Sequence, residues 1–187
     1  MFFTKAINQE DHEMKVQKSF KPGKKWFKSM VSKIVFFILG RAFQVFSKKD
    51  HKISEEIESW PEGFKLMLDI MPFGPELVLQ KNQGKIFARN FDGKTPDLSI
   101  KFKNIESAFM ILTPQMGVPQ GFAEHRFILI GDVAKAMSFT RCLNIILTYL
   151  YPDFICKNLM RRIPEINISK RILKRAYFYT IGMIAGF

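Results

Sequence analysis

Cysteine, histidine and long apolar runs are scarce in this 187-residue chain. The two cysteines, Cys142 and Cys156, are too few for a disulfide framework or a structural zinc site, and we expect both to be reduced, as in a cytosolic protein. The three histidines show no metal-ligand spacing. The sequence contains no nucleophile elbow, P-loop or dinucleotide-binding fingerprint. It therefore predicts a protein that is not an enzyme and that uses no cofactor and no metal.

Segments that resemble membrane spans or leaders are also lacking. The uncharged run from Ile34 to Leu39 falls far short of the roughly 20 apolar residues that cross a bilayer, and Arg41 closes it. The first 25 residues are polar and charged, without the apolar core and small-residue cleavage site of a signal peptide. We therefore expect a cytoplasmic protein.

Large apolar side chains, by contrast, are abundant. The chain is 47% hydrophobic and contains 20 Phe and 10 Met, and its length fits about one domain. Composition alone favours the ordinary interpretation, in which these side chains fill a core. The same soft, bulky residues also suit an adaptable apolar cavity.

The net charge of +12 is concentrated at the two ends of the chain. Residues 1–50 have a net charge of +7 and residues 157–187 one of +6, whereas residues 51–156 have a net charge of −1. This pattern predicts a nearly neutral domain over residues 51–156 between two basic flanks. Nucleic acid or an anionic membrane surface would each suit such flanks.

The first flank is predicted to form a basic amphipathic helix. Apolar residues recur at helical spacing, while Lys25, Lys28 and Lys33 fall on the other face. The apolar set is Trp26, Phe27, Met30, Val31, Ile34, Val35 and Ile38. Aromatic residues at the start of a basic helix are typical of helices that lie in a bilayer interface. The alternative is that the helix packs on the domain and that its lysines are solvated.

The last flank has a similar pattern. Ile172, Leu173 and Ala176 are predicted to line one side of a helix and the basic residues the other. Residues 176–187 are uncharged and too short to span a bilayer, so this tail either enters one leaflet or packs on the domain. The residues that we expect to contact an anionic cytoplasmic membrane surface are Lys24, Lys25, Trp26, Phe27, Lys28, Lys33, Lys170, Arg171, Lys174 and Arg175.

Between the flanks the sequence predicts one α/β unit. A helical or turn-rich segment is expected from Ser54 to Met71, followed by a β-hairpin around Asn82-Gln83-Gly84 and a third strand in which Leu98, Ile100 and Phe102 alternate with polar residues. Two helices are predicted to cover the apolar face of these strands, one from Asn104 to Leu112 and one after Asp132.

Gly131-Asp132 is predicted to be a structural turn. Glycine permits a positive φ at the exit of a strand, and aspartate accepts hydrogen bonds from the first N–H groups of the helix that follows. His125, between Glu124 and Arg126, is interpreted in the same way, as part of a polar strand entrance and not as an acid or base.

Two segments resemble the sterol carrier protein 2 (SCP2) domain family. Pro96-Asp97-Leu98-Ser99-Ile100-Lys101-Phe102 is similar to the middle strand of that family, and Phe127-Ile128-Leu129-Ile130-Gly131-Asp132 to its late strand and Gly-Asp turn. The resemblance covers about residues 55 to 155 and is to the bacterial stand-alone members. It implies an α/β (α+β) fold with a mainly antiparallel, twisted sheet covered by helices that enclose an apolar tunnel. Thr113 to Glu124 departs from the family as a longer loop.

The resemblance also implies a function, the non-catalytic binding or carrying of a sterol-like lipid, a fatty acyl chain or an isoprenoid- or quinone-like molecule. The residues expected to line the site are Phe102, Phe109, Leu112, Phe122, Phe127, Leu129, Met137, Phe139, Leu143 and Ile146. One alternative is an accessory protein that presents a hydrophobic intermediate to lipid or quinone biosynthetic enzymes. A nucleic-acid binder is the other alternative, and it is disfavoured because base stacking needs exposed aromatics, whereas these follow buried-face periodicity.

Overall fold

A single five-stranded sheet forms the centre of the fold in the computed structural model, which describes residues 26–113, 115–151, 156 and 168–182. The strand order is β3-β2-β1-β4-β5; β1 and β4 run parallel, and the other neighbours are antiparallel. The strands are β1 (Lys65–Ile70), β2 (Glu76–Asn82), β3 (Lys85–Arg89), β4 (Leu98–Phe102) and β5 (Phe127–Gly131). The predicted fold class, a mainly antiparallel sheet covered by helices, is confirmed.

Six α-helices and a short π-helical segment are found among the described residues, and several of them cover one face of the sheet. They are α1 (Trp26–Lys49), α2 (His51–Glu58), α3 (Ile105–Leu112), α4 (Val118–Ala123), α5 (Val133–Leu150), α6 (Ile168–Tyr177) and the π-helical segment Phe178–Gly182. The predicted caps are confirmed: Asn104 accepts from the N–H of Ser107, and Asp132 accepts from that of Ala134.

Strand β1 corrects the prediction of a helical or turn-rich segment up to Met71. Leu66, Leu68 and Ile70 occupy alternate positions and are buried on the helix-covered face, next to their partners in β2 and β4. The helical segment ends earlier, with α2 at Glu58. Met67 interrupts the alternation of apolar and polar residues, so the sequence pattern did not indicate a strand here.

Helix α1 is a core element in its second half. Phe43 and Phe46 are almost fully buried, and the helix packs on β2, β3, α2 and α3. Gly40 permits the close approach, since a Cβ there would lie 3.1 Å from both Ala88 Cβ and Leu77 Cδ1. Residues 26–49, which the sequence assigned to the first flank, therefore pack on the strands and helices of the predicted domain.

The length and composition of α1 would allow it to cross a membrane. However, 44% of its most apolar 18-residue stretch is buried inside the fold. This burial is what a core helix shows, and it corresponds to the alternative in which the first flank packs on the domain. The first turns differ from the rest, because Trp26, Phe27 and Ile34 remain exposed.

Candidate functional site

An apolar cavity of about 390 Å³ lies between the helix-covered face of the sheet and helix α5. Leu68, Ile100 and Leu129 form the sheet side, and α1, α3 and α4 contribute the remaining walls. The volume falls within the range of ligand pockets, roughly 300 to 1,000 Å³. The fold thus provides an apolar cavity on the helix-covered face of the sheet.

The described residues that line this cavity are all uncharged. They are Val35, Leu39, Leu68, Ile100, Phe102, Ile111, Leu112, Val118, Pro119, Phe122, Phe127, Leu129, Val133, Ala136, Met137, Phe139, Thr140, Leu143, Leu147, Leu150 and Tyr151. The two hydroxyl groups are already engaged: Thr140 donates to the carbonyl of Ala136 at 2.8 Å, and Tyr151 donates to that of Leu112 at 3.3 Å. The wall therefore selects for apolar surface and not for a polar head group.

The mouth of the cavity lies between α4 and the first turns of α5. Phe122, Val133 and Met137 line the cavity and are nevertheless 58%, 63% and 55% exposed. Leu39 and Phe139 also line the cavity and are buried. The ring of Phe122 packs against that of Phe127 with centroids 5.8 Å apart, so the mouth is continuous with the inner wall.

Eight of the ten residues that the sequence predicts as lining lie on the wall of the cavity. They are Phe102, Leu112, Phe122, Phe127, Leu129, Met137, Phe139 and Leu143. The other two lie elsewhere. Phe109 is half-buried between α1 and α3, with the ammonium of Lys28 5.5 Å from its ring centroid. Ile146 is fully buried in the core. It precedes the lining residue Leu147 by one position in the helix, so its side chain points about 100° away from that of Leu147.

Helix α4 is the element that the sequence missed at the site. The segment from Thr113 to Glu124 was expected to be a long loop, yet it contains the six residues of α4. Pro119 is tolerated because it lies in the first turn, where its missing N–H leaves no intrahelical bond unmade. Val118, Pro119 and Phe122 all line the cavity.

The predicted membrane-contact residues of the first flank differ from one another in their exposure. Trp26 and Phe27 are 71% and 60% exposed, and Lys33 is exposed. Lys28 is half-buried and forms an ion pair with Glu106. Lys24 and Lys25 lie outside the described residues. The exposed rings of Trp26 and Phe27 contradict the expectation that the aromatics follow buried faces, so that argument against nucleic-acid binding fails for α1.

In the last flank, two predicted membrane-contact residues face inward. Lys174 donates to the carboxylate of Asp50 at 2.5 Å, and Arg175 donates to the carbonyls of Tyr149 and Tyr151 at 3.0 and 2.7 Å. The end of α5 presents unpaired carbonyl oxygens, which attract the guanidinium. Both basic side chains therefore have partners within the fold. The side chains of Lys170 and Arg171 lie outside the described residues.

The apolar residues of α6 are correspondingly turned outward. Ile172 is 58% exposed and Leu173 72% exposed. The side of α6 that the sequence predicted to be apolar therefore faces away from the domain at these two residues.

Two residues with reactive side chains, Cys142 and His125, lie outside the cavity wall. Burial, followed by the nearby Glu56 carboxylate, raises the pKa of the Cys142 thiol to about 12, so it is protonated and inert. His125 is exposed at a left-handed turn with φ of 53°, just before β5. Within the described ranges, no cluster of three or more His, Cys, Asp or Glu side chains could hold a metal ion.

Comparison with known proteins gives only distant structural similarity. No protein-family profile and no curated protein matches the sequence. Among solved structures, the UbiJ-SCP2 ubiquinone synthesis protein aligns at 15% identity, covering 64% of this chain and 98% of that chain, with a TM-score of 0.44. The sterol carrier protein domain 2 of Helicoverpa armigera aligns at 16% identity, over 79% of this chain and 100% of that chain, with a TM-score of 0.40.

Sterol carrier protein 2 from Yarrowia lipolytica, in its apo form, aligns at 14% identity, over 71% of this chain and 94% of that chain, with a TM-score of 0.39. All three of these structures are SCP2 domains, the family that the two sequence segments resemble. At identities of 14 to 16%, the similarity is one of fold alone.

Proposed function

We propose that this protein binds and carries a hydrophobic molecule in the cavity beneath α5, without catalysing its conversion. The observation that supports this proposal is the uncharged wall, in which both hydroxyl groups have partners within the protein. A fatty acyl chain, a sterol-like lipid or an isoprenoid- or quinone-like molecule would each match such a wall.

The expected driving force is removal of the ligand from water. Apolar surface that leaves water contributes about 25 cal/mol per Å², and an apolar cavity has no polar partners that would hold water in place. A charged head group would find no counter-ion on the wall, so it would stay at the mouth near Phe122 and Met137. We therefore expect amphipathic ligands to bind tail first.

We further propose that the protein works in the cytoplasm, bound peripherally to an anionic membrane surface. The exposed Trp26 and Phe27, the exposed Lys33 and the apolar mouth support this proposal. An exposed apolar mouth is a surface that a bilayer would cover, and aromatic residues beside lysines favour the bilayer interface.

Two alternatives stay predictions. Presentation of a hydrophobic intermediate to lipid or quinone biosynthetic enzymes would use the same cavity, and co-purification of such an enzyme would favour it. Nucleic-acid binding would use the basic flanks together with the exposed ring of Trp26. Binding to DNA or RNA in preference to anionic vesicles would favour the second alternative.

The test of cavity binding is titration with a fluorescent fatty acid. Wild type should bind one molecule per chain, and Met137→Asp should weaken binding about tenfold or more, because a charge at the wall must be desolvated. Ile130→Asp is the matched control, since Ile130 is 53% exposed, close to the 55% of Met137, but lies on the opposite face of the sheet from Leu129. Equal affinities of the two folded variants would contradict the proposal.

A further inference from the structure

A second depression lies on another side of α1 from the ligand cavity. It is a groove of about 760 Å³ between α1, the turn that joins β1 to β2, and the end of β3. No residue lines both the groove and the cavity among those described. Val35 and Leu39 face the cavity, whereas Lys33, Phe37 and Arg41 face the groove, so α1 separates the two sites.

The groove has an excess of positive charge. Lys33 and Arg89 are exposed and Arg41 is half-buried, while Glu76 is the acidic side chain among the described lining residues. Within the described part of the chain, no ion pair joins Lys33, Arg41 or Arg89 to a carboxylate. Arg41 instead lies over the ring of Phe37 at 5.5 Å. Two guanidinium groups without carboxylate partners can both donate to phosphate oxygens.

Two exposed aromatic rings flank these cations. Phe73 is 70% exposed and Phe37 is 55% exposed, and both line the groove. Phe37 also continues the exposed apolar side of α1 that includes Met30 and Ile34. A soluble phosphate compound would leave these rings in water. A membrane lipid would satisfy both features, because its head group meets the cations while its acyl region covers the rings.

We propose that this groove binds the phosphate of an anionic membrane lipid, with Phe37 and Phe73 inserted at the bilayer interface. The proposal deepens the membrane contact in the proposed function and rests on that contact, but it does not depend on what occupies the cavity. It assigns α1 a double role, as one wall of the cavity and as the membrane-facing side of the groove.

The test is sedimentation of the full chain with vesicles of neutral phosphatidylcholine, with and without phosphatidylglycerol. Arg41→Gln with Arg89→Gln should lower affinity for the anionic vesicles about 25-fold, since each Lys or Arg near the surface contributes about fivefold. Lys85→Gln with Lys94→Gln removes the same charge from exposed positions outside the groove and should have a much smaller effect. Equal losses in the two double variants would overturn the proposal, because they would indicate diffuse electrostatic attraction.

Two further measurements use variants of the phenylalanines and competition by inorganic phosphate. Phe37→Ser with Phe73→Ser should weaken binding to neutral and anionic vesicles alike. Inorganic phosphate at constant ionic strength should neither raise the Tm of the protein nor displace it from vesicles. A Tm increase that is lost in the double arginine variant would show that the groove binds a soluble phosphate, and it would overturn the lipid proposal.

Fluorescent fatty acid binding, measured on the same proteins, tests the cavity separately. It should be unchanged in the groove variants, so failure of one proposal is distinguishable from failure of the other.

Discussion

Tyr149 donates a hydrogen bond of 2.5 Å to the carboxylate of Asp50, 99 residues earlier in the chain. The same carboxylate accepts from Lys174 at 2.5 Å and from the backbone N–H groups of Lys52 and Ile53, which begin α2. One buried side chain therefore joins the α1–α2 junction to α5 and α6. Burial alone would raise the pKa of Asp50, but the hydrogen bonds from Lys174 and Tyr149 outweigh it and hold the pKa below its usual value.

We expect Asp50→Ala to destabilise the protein by about 2 to 4 kcal/mol, because it removes a helix cap and leaves the hydroxyl of Tyr149 buried without its acceptor. Urea unfolding would measure this change. Glu55→Ala, on the exposed side of α2, is the control and should leave the midpoint nearly unchanged. A small effect of Asp50→Ala would show that this contact does not join the helices.

The stability should fall in acid partly because of Asp50. The pKa of Asp50 in the folded state lies below its unfolded value of about 3.9, so the unfolded chain binds the proton more readily. The contribution of Asp50 to the free energy of unfolding is therefore present above about pH 4 and declines below it. Asp50→Asn should therefore flatten the dependence of the free energy of unfolding on pH in that range. Urea titrations at several pH values test this, and parallel curves for wild type and variant would contradict it.

Gly131→Ala should be more destabilising than Gly93→Ala. Both glycines have positive φ, 122° and 76°, but a Cβ at Gly131 would lie 2.4 Å from the carbonyl oxygen of Asp97, whereas a Cβ at Gly93 meets nothing within 4 Å. Gly93→Ala measures only the cost of placing alanine at a positive φ, about 1 kcal/mol, whereas Gly131→Ala adds a clash with the backbone. Thermal unfolding of both variants checks the order, and equal losses would mean that β5 shifts freely.

Gln83→Asn should stabilise the β2–β3 hairpin by about 0.5 to 1 kcal/mol. Gln83 and Gly84 form its two-residue turn with φ of 50° and 69°, and asparagine tolerates this left-handed region better than glutamine. Gln120→Asn, inside α4, is the control and should give no stabilisation. Loss of stability in Gln83→Asn would contradict the turn assignment.

The sequence predicted the turns and caps that depend on the backbone preferences of a few adjacent residues. The hairpin around Gln83-Gly84, the cap at Asn104 and the turn at Gly131-Asp132 each depend on backbone preferences at adjacent positions, and all three are confirmed. Six of the eight predicted residues that line the cavity lie on β4, β5 and α5, where strand alternation and helical spacing fix their sides.

Features that depend on distant partners were not predictable. The sequence shows that α6 has a basic and an apolar side, but only the fold shows that Asp50 and the last carbonyls of α5 lie where the basic side packs. Ile146 was assigned to the cavity because a broad apolar helix surface does not show which stripe faces the sheet. The burial of Phe43 and Phe46 likewise depends on how α1 crosses β2 and β3.

The most direct test of the cavity proposal is native mass spectrometry of the purified protein, followed by extraction of what it holds into organic solvent. The proposal predicts one hydrophobic molecule per chain for wild type, and a loss of occupancy in Ala136→Phe, which places a ring in the cavity. Ala134→Phe, at an exposed position of the same helix outside the cavity wall, controls for the effect of the added ring on the fold. A wild-type chain that remains empty after exposure to fatty acids and sterols, or an Ala136→Phe variant that is folded and equally occupied, would contradict the central claim.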